Sequence, residues 1–513
     1  MNSNSRVLNS LRNIFFGVGN QILILILNFV QRTIFIKLLG PEYLGINGLF
    51  GNILSFLCLA DLGLGTAMVY SFYKPIADKD ETKIAALITY YKKIYTGIAT
   101  VILVVGLALL PFINQMVNTE TEIPYLHLYY VLFLLNTVMS YLFVYKTCII
   151  NADQNNYLIS IYAVVFNVLK IVGQIIVLLF THNYTLYLVI MVLCTFGNNF
   201  FSARKAEKLY PFINRKEELP KEDKKSIFAN IKSMFIYKMS SVLLNSTDNI
   251  IISVLSGTIW VGYYSNYLML VNAIGNFVAI IFSSLNGSIG NLVAKESKEK
   301  KEEVFYVLGF IGFWLGGFTV TCFYVLLKDF VTLWIGAENL LNTSVVIAML
   351  LNYYLTCILN PLWGFRSATG LFNKTKFVMI FTAIVNLVVS IVLGKYLGLL
   401  GVLLGSAIAR LTTYCWYEPW VLFKDFFESK VSKYFIKNII YFIVVIISAV
   451  VTQIATMWID GGTWFGLFAK LGICLIVPNL MYIVLFGWTH EFKYLYKIFV
   501  EKIGRKVVKK AAN

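Results

Sequence analysis

Long, uniformly apolar stretches follow one another along this chain, separated by short polar breaks. Runs such as QILILILNFV (21–30) and IIYFIVVIISAVV (439–451) are apolar on every side. About 20 apolar residues cross a hydrocarbon core of about 30 Å as a helix, whereas a membrane β-barrel needs ~10-residue segments that alternate apolar and polar. Only 13% of the 513 residues are charged, against roughly 25% in soluble proteins. The pattern therefore predicts an all-α integral membrane protein.

The apolar stretches predict about 14 transmembrane helices. The second and eighth are long enough to include a tilt or an interfacial turn. The predicted spans are 13–39, 43–71, 84–110, 123–147, 156–180, 184–207, 232–256, 260–293, 304–328, 340–366, 375–396, 400–424, 434–458 and 463–489.

The basic residues indicate the orientation of these spans. Of the 43 Lys and Arg residues, 36 fall on the side that contains both termini, three fall on the opposite side and four lie inside spans. The three are Lys37, Lys328 and Lys395. Because Lys and Arg are retained in cytoplasmic loops, we expect both termini to be cytoplasmic. The same rule accounts for the formal net charge of +17, so we expect no nucleic-acid partner.

A weak internal repeat divides the chain. IKLLGPEYLGINGLFGNIL (36–54) aligns with SVLSGTIWVGYYSNYLMLV (253–271) at an offset of 217, which pairs Gly40 with Gly257 and Gly45 with Gly262. Two six-helix units in one orientation imply a pseudo-two-fold axis along the membrane normal and a central cavity. Chance similarity between apolar helices is the alternative. We predict lobes at 1–210 and 232–425, a cytoplasmic linker at 211–231, and two additional helices with a basic tail at 426–513.

Charged residues inside spans are costly and are usually functional. Arg32 lies in helix 1 and Asp248 in helix 7, and the repeat superposes Gln31-Arg32 on Asp248-Asn249. We therefore expect Arg32, Asp248 and Asn249 to line the cavity, with Arg32 as a cation for an anionic substrate. Asp248 would be its counter-ion or a proton or sodium site. A structural ion pair between the two helices is the alternative.

Three further ionisable residues are candidates for the cavity. Lys170 and Arg410 lie midway along helices 5 and 12, and Asp61 lies in LADLGLGTA of helix 2. For Arg410 the competing interpretation is pairing with a neighbouring carbonyl or carboxylate, with Glu418 two turns away. Lys470, outside the repeat, is assigned no role. We expect no metal site, because the three histidines are widely separated and the seven cysteines form no CxxC.

The sequence contains no Walker A, GxSxG or HExxH pattern, and the predicted outer loops are barely a dozen residues long. We therefore expect neither an enzyme nor a bound cofactor. A membrane glycosyltransferase or polymerase is the third alternative, although such enzymes generally need a sizeable extracytoplasmic loop.

Several motifs resemble the polysaccharide-transporter (Wzx-like flippase) branch of the multidrug/oligosaccharidyl-lipid/polysaccharide exporter superfamily. These motifs are RTIFIKLLGPEYLGINGLF, ADLGLGTAMVYSFY, STDNIIISVLSGTIWVGYYSNYLMLVNAI and GLFNKTK. The resemblance covers roughly residues 10–425, and the last two spans match the 14-helix members.

The resemblance implies two six-helix lobes, alternating access and polyprenyl-pyrophosphate-linked oligosaccharide as substrate. It implies that cationic cavity residues hold the anionic headgroup, a role that Arg32 fits by position. The partners would be this substrate and membrane lipids, in the cell membrane of a bacterium. H⁺ or Na⁺ is a candidate coupling ion, and polysaccharide assembly proteins are candidate protein partners. A cation-coupled multidrug or small-molecule exporter of the same fold is the second interpretation. Such exporters typically carry acidic cavity clusters, whereas the clear acidic residues in the predicted helices here are only Asp61 and Asp248.

Overall fold

A computed structural model describes residues 24–58, 64–119, 122–153, 155, 157–224, 227 and 247–498. Within these ranges the chain forms helices joined by short turns, and no strand is present. The helices are α1 (24–39), α2 (Pro41–Leu57), α3 (Leu64–Ala77), α4 (Glu81–Leu109), α5 (Ile113–Met116), α6 (Leu126–Tyr141), α7 (Val144–Ala152), α8 (Tyr157–Thr181), α9 (Tyr184–Leu209), α10 (Thr247–Ser256), α11 (Thr258–Lys295), α12 (Lys298–Ile335), α13 (Thr343–Thr369), α14 (Phe372–Leu397), α15 (Leu399–Thr412), α16 (Tyr414–Leu422), α17 (Ser432–Thr456) and α18 (Trp464–Phe486).

Ten helical stretches of the described chain are long and apolar enough to cross a membrane. An eleventh is added if α6 and α7, which meet at a bend of 44°, count as one span. Phe143 has a φ of 70° at this bend, which ends the continuous helix there. The all-helical membrane fold is thus confirmed. The number 14 stays a prediction, because the predicted spans 13–39, 43–71 and 232–256 run partly through residues outside the described ranges.

Contacts divide the chain into two compact units, Met1–Gly262 and Tyr263–Asn513. In the first unit α8 and α9 form an antiparallel pair, and α6 packs against α9 and α4. The Tyr130 hydroxyl on α6 donates a hydrogen bond of 3.0 Å to the carbonyl of Gly106 on α4. The finer division into lobes, linker and additional helices stays a prediction.

In the second unit α14 and α15 pack closely through small residues. A methyl group at Gly401 would overlap the carbonyl of Leu393, and one at Gly405 would overlap Ser390. Asn386 donates a hydrogen bond of 2.8 Å to the Ser406 hydroxyl across the same interface. Small residues and polar side chains therefore hold these two helices together, as is common within membranes.

The last two helices belong to the second unit and pack against α12. Phe313 of α12 stacks on Tyr441 of α17 with ring centroids 4.2 Å apart. Gly317 lies where a methyl group would contact Val445 of α17 and the Tyr482 hydroxyl of α18. This aromatic cluster makes α17 and α18 an integral part of the unit rather than a loosely attached pair.

Candidate functional site

Two glycines separated by the repeat offset begin equivalent helices. Gly40 precedes α2 with a φ of 86°, and Gly257 precedes α11 with a φ of 109°. Side chains other than hydrogen rarely adopt such angles, so both turns require glycine. The sequence repeat therefore corresponds to a repeated backbone conformation at these two positions.

The starts of α2 and α11 cross in close contact. Gly45 lies so near Thr258 that a methyl group would overlap the Thr258 carbonyl oxygen. Gly262 lies in the same way against the carbonyl oxygen of Pro41. Adding 217 to Pro41 and Gly45 gives Thr258 and Gly262, so the contact is reciprocal and follows the repeat. This arrangement is what a local two-fold axis between the two helix starts produces.

Hydrogen bonds hold the start of α11 to the segment after α5. The Thr258 N–H donates to the Asn118 carbonyl at 2.7 Å, and the Asn118 N–H donates to the Thr258 hydroxyl at 3.0 Å. The Ser253 hydroxyl donates to the Met116 carbonyl at 2.9 Å. Ser253 and Thr258 are fully buried, so these bonds are shielded from solvent.

Arg32 lies on α1 beside a polar seam between α8 and α9, which is formed by hydrogen bonds among Gln31, Gln174 and Tyr187. Its neighbour Gln31 donates to the Gln174 side chain at 2.6 Å and to the Tyr187 hydroxyl at 3.1 Å. Gln174 in turn donates to the Tyr187 carbonyl at 3.0 Å. The Arg32 guanidinium is half-buried and is close enough to Tyr187 for an electrostatic interaction. Phe35, one turn along α1, packs edge-on against Tyr187 at 5.2 Å.

Lys170 lies on the same seam. It is one helical turn before Gln174 on α8, and it interacts electrostatically with Cys194 on α9. Lys170 is half-buried, and among the described residues no carboxylate lies within ion-pair distance of it. The structure thus brings two of the predicted cations, Arg32 and Lys170, to one helix interface of the first unit.

Asp248 and Asn249 lie on α10, in the first unit. Both are half-buried. The Asn249 amide faces α2, where a methyl group at Gly48 would lie 3.7 Å from its Nδ2. The predicted roles of Asp248 and Asn249 toward substrate stay predictions. Asp61 lies outside the described residues, and its role likewise stays a prediction.

Arg410 belongs to the second unit and bridges α15 to α13. Its Nη1 donates to the Thr356 hydroxyl at 3.0 Å and to the Asn352 carbonyl at 3.3 Å. The structure therefore shows the carbonyl contact that the sequence offered as the competing interpretation. Glu418 pairs instead with Arg366, a residue that the sequence did not single out. The Arg366 and Glu418 side chains are only 6% and 1% exposed, so this ion pair is buried.

Lys470, to which no role was assigned, forms an ion pair of 2.6 Å with Asp329 and joins α18 to α12. Neither this pair nor Arg366–Glu418 has a local sequence signal. The partners are 141 and 52 residues apart. Only the known requirement that buried charges find partners could have prompted a search for them.

A family model described as "Polysaccharide biosynthesis protein" matches residues 10–286, which is more than half of the chain. No protein of curated function matches the sequence. The fold is similar to that of the lipid II flippase MurJ in an inward closed conformation. That match has a TM-score of 0.68 and 13% identity and covers 92% of this chain and 99% of MurJ.

The fold is also similar to that of a multidrug resistance MATE family transporter of the MOP superfamily in an inward-facing conformation. This match has a TM-score of 0.59 and 16% identity and covers 76% of this chain and 92% of the transporter. At these identities the likeness concerns the fold. The chain therefore belongs to the polysaccharide biosynthesis protein family and has the membrane transporter fold shared by the MurJ flippase and the MATE transporters.

Proposed function

We propose that this protein is a flippase that carries polyprenyl-pyrophosphate-linked oligosaccharide across the bacterial cell membrane by alternating access. The family match and the fold support a transporter of this class. The observation that carries the proposal is the placement of Arg32 and Lys170 on one polar seam inside the first unit. Within the described residues, Lys170 has no carboxylate partner, which leaves its charge available to an anionic ligand.

The chemistry of the substrate calls for such cations. A pyrophosphate carries about two negative charges, and moving it bare through hydrocarbon is prohibitive. Arg32 would replace water at the phosphate oxygens with charge-assisted hydrogen bonds, because its planar fork binds two oxygens at once. Lys170 would add a second, more mobile charge. One or two cations suit a transporter, since the substrate must also be released.

The crossing of α2 and α11 suits alternating access. In the orientation predicted from the basic residues, the turns at Gly40 and Gly257 face the outside. The reciprocal glycine contact and the buried hydrogen bonds of Thr258 would then close the transport path toward the outside. A substrate could enter only from the cytoplasmic side in this state. Separation of the two helix starts would be required for release outside. The MurJ structure with the similar fold is an inward closed one.

Depletion of the protein tests the proposed function. We expect a lipid-linked oligosaccharide to accumulate on the cytoplasmic leaflet, measured by lipid extraction and mass spectrometry, and the accumulation to vanish when the wild-type gene is restored. Drug sensitivity with normal envelope glycans would instead indicate a small-molecule exporter. Accumulation of a shorter or unligated glycan outside the cell would indicate an enzyme of glycan assembly.

A further inference from the structure

A polar cavity of about 390 Å³ lies in the second unit, at the end where α12 and α17 begin. Its walls come from the first three turns of α12, from α17 and from the segment that follows α18. The volume falls within the range of about 300–1,000 Å³ that is usual for small-molecule sites. Trp488 and Tyr496, 71% and 62% exposed, lie on the segment after α18. Exposed aromatic residues at helix ends mark the headgroup level of a membrane.

Most charges around this cavity are already paired. Lys437 forms an ion pair with Glu491. Burial raises the pKa of Glu491, but hydrogen bonding to Lys437 and to backbone lowers it, and the net pKa lies below the ordinary value. Glu303 pairs with Lys300 at 2.7 Å and with His490 at 3.2 Å.

Three further charged residues line the wall: Glu299, Glu302 and Lys433. Glu299 is held by hydrogen bonds at the start of α12, including one from Ser297. Glu302 and Lys433 both line the cavity, and in the described part of the chain neither has an ion-pair partner. The carboxylate of Glu302 and the ammonium group of Lys433 can therefore contact a ligand without breaking an ion pair.

Tyr306 forms the floor of the cavity. The Nζ atoms of Lys433 and Lys437 lie 4.9 and 4.6 Å from its ring centroid. Tyr306 is 8% exposed, and its buried hydroxyl has no hydrogen-bond partner among the described groups. Cation–π contacts of this kind hold both ammonium groups at the floor of the cavity.

We propose that this cavity binds a zwitterionic aminophosphate headgroup, of the kind carried by phosphatidylethanolamine. Lys433 would hold the phosphate oxygens, and Glu302 would accept hydrogen bonds from the ammonium group. An anionic headgroup would leave Glu302 unpaired against a negative ligand. A choline headgroup has no N–H to donate. The proposal is independent of the proposed transport function, since it rests on the second unit's own residues and on its insertion in a membrane.

Native mass spectrometry of the purified full-length protein tests the proposal. The probes are phosphatidylethanolamine, phosphatidylcholine and phosphatidylglycerol with identical acyl chains. We expect the wild type to retain phosphatidylethanolamine in preference to both others. Glu302→Gln and Lys433→Met should each weaken that retention by about tenfold, the effect of one charge-assisted hydrogen bond. The matched controls Glu296→Gln and Lys430→Met change exposed charges outside the cavity and should leave retention unchanged.

The outcome distinguishes the possible sources of the headgroup. Displacement of the lipid by soluble phosphoethanolamine would assign the site to the free compound, and persistence of the lipid would assign it to the membrane. Equal retention of phosphatidylethanolamine and phosphatidylcholine, preference for phosphatidylglycerol, or wild-type retention in both cavity variants would overturn the proposal. Thermal unfolding of each variant without added lipid shows that it is folded, so that a loss of retention is a loss of binding.

Discussion

Gly45 and Gly262 pack reciprocally, each against the carbonyl of the first residue in the other's helix. Both contacts lie between the same two helix starts, so a shift that relieves one of them also changes the other. A carbonyl oxygen cannot move aside as a side chain can, so the space at both positions admits only hydrogen. The crossing of α2 and α11 thus depends on two glycines that the sequence pairs through the repeat but whose mutual contact only the structure shows.

Substitution of either glycine should loosen this crossing. Gly45→Ala or Gly262→Ala adds a methyl group that overlaps backbone, and overpacking of this kind costs about 1–3 kcal/mol. We expect increased labelling of a cysteine at Asn118 by a membrane-impermeant maleimide from outside, in a protein whose seven native cysteines are replaced. Gly51→Ala on the same helix is the control, because nothing lies within 4 Å of a methyl group there. Equal labelling in all three variants would contradict a closing role for the contact.

Arg32 should be required for transport. In a cell whose only copy carries Arg32→Ala, we expect loss of exported glycan with normal membrane levels of the protein. Arg32→Lys should retain part of the activity, because it keeps the charge but loses the bidentate fork. Lys37→Ala, which removes an exposed charge from the end of the same helix, should export normally. Wild-type glycan levels with Arg32→Ala would remove Arg32 from the proposed site.

The buried Arg366–Glu418 pair should contribute to stability rather than to substrate binding. Arg366→Met leaves a buried carboxylate uncompensated, and breaking such a pair costs roughly 3–5 kcal/mol. We expect a marked fall in the melting temperature of the purified protein. The double variant Arg366→Met, Glu418→Gln should recover much of that loss, because no unpaired charge remains. A double variant as unstable as Arg366→Met would show that the lost charge is not the cause.

The orientation predicts which residues face the cytoplasm. Single cysteines at Lys221, Lys298 and Lys430, in a protein without its native cysteines, should react with impermeant reagents only from inside. Lys298 forms an ion pair of 2.6 Å with Glu428, which lies two residues before Lys430, so these two positions share one face of the second unit. They must therefore be labelled from the same side. Labelling of Lys298 from outside would invert or refute the topology.

Residue types and their spacing were enough to predict the class of fold. The apolar runs are unambiguous because a helix in lipid must satisfy its backbone internally and cover itself with apolar side chains. The internal repeat could also be recognised from the sequence. It pairs Gly40 with Gly257, and both positions need glycine because both turns have a positive φ. These features depend on neighbours along the chain, which a sequence displays directly.

Partners of charged side chains depended on the tertiary structure. Nothing local distinguishes Arg410, which donates to Asn352 and Thr356 on another helix, from Lys170, which has no carboxylate within ion-pair distance in the described chain. Glu418 lies two turns from Arg410 along the sequence, yet it pairs with Arg366. The rotation and depth of one helix against another set these distances. That packing arises from many weak contacts between residues far apart in the chain, so no spacing rule encodes it.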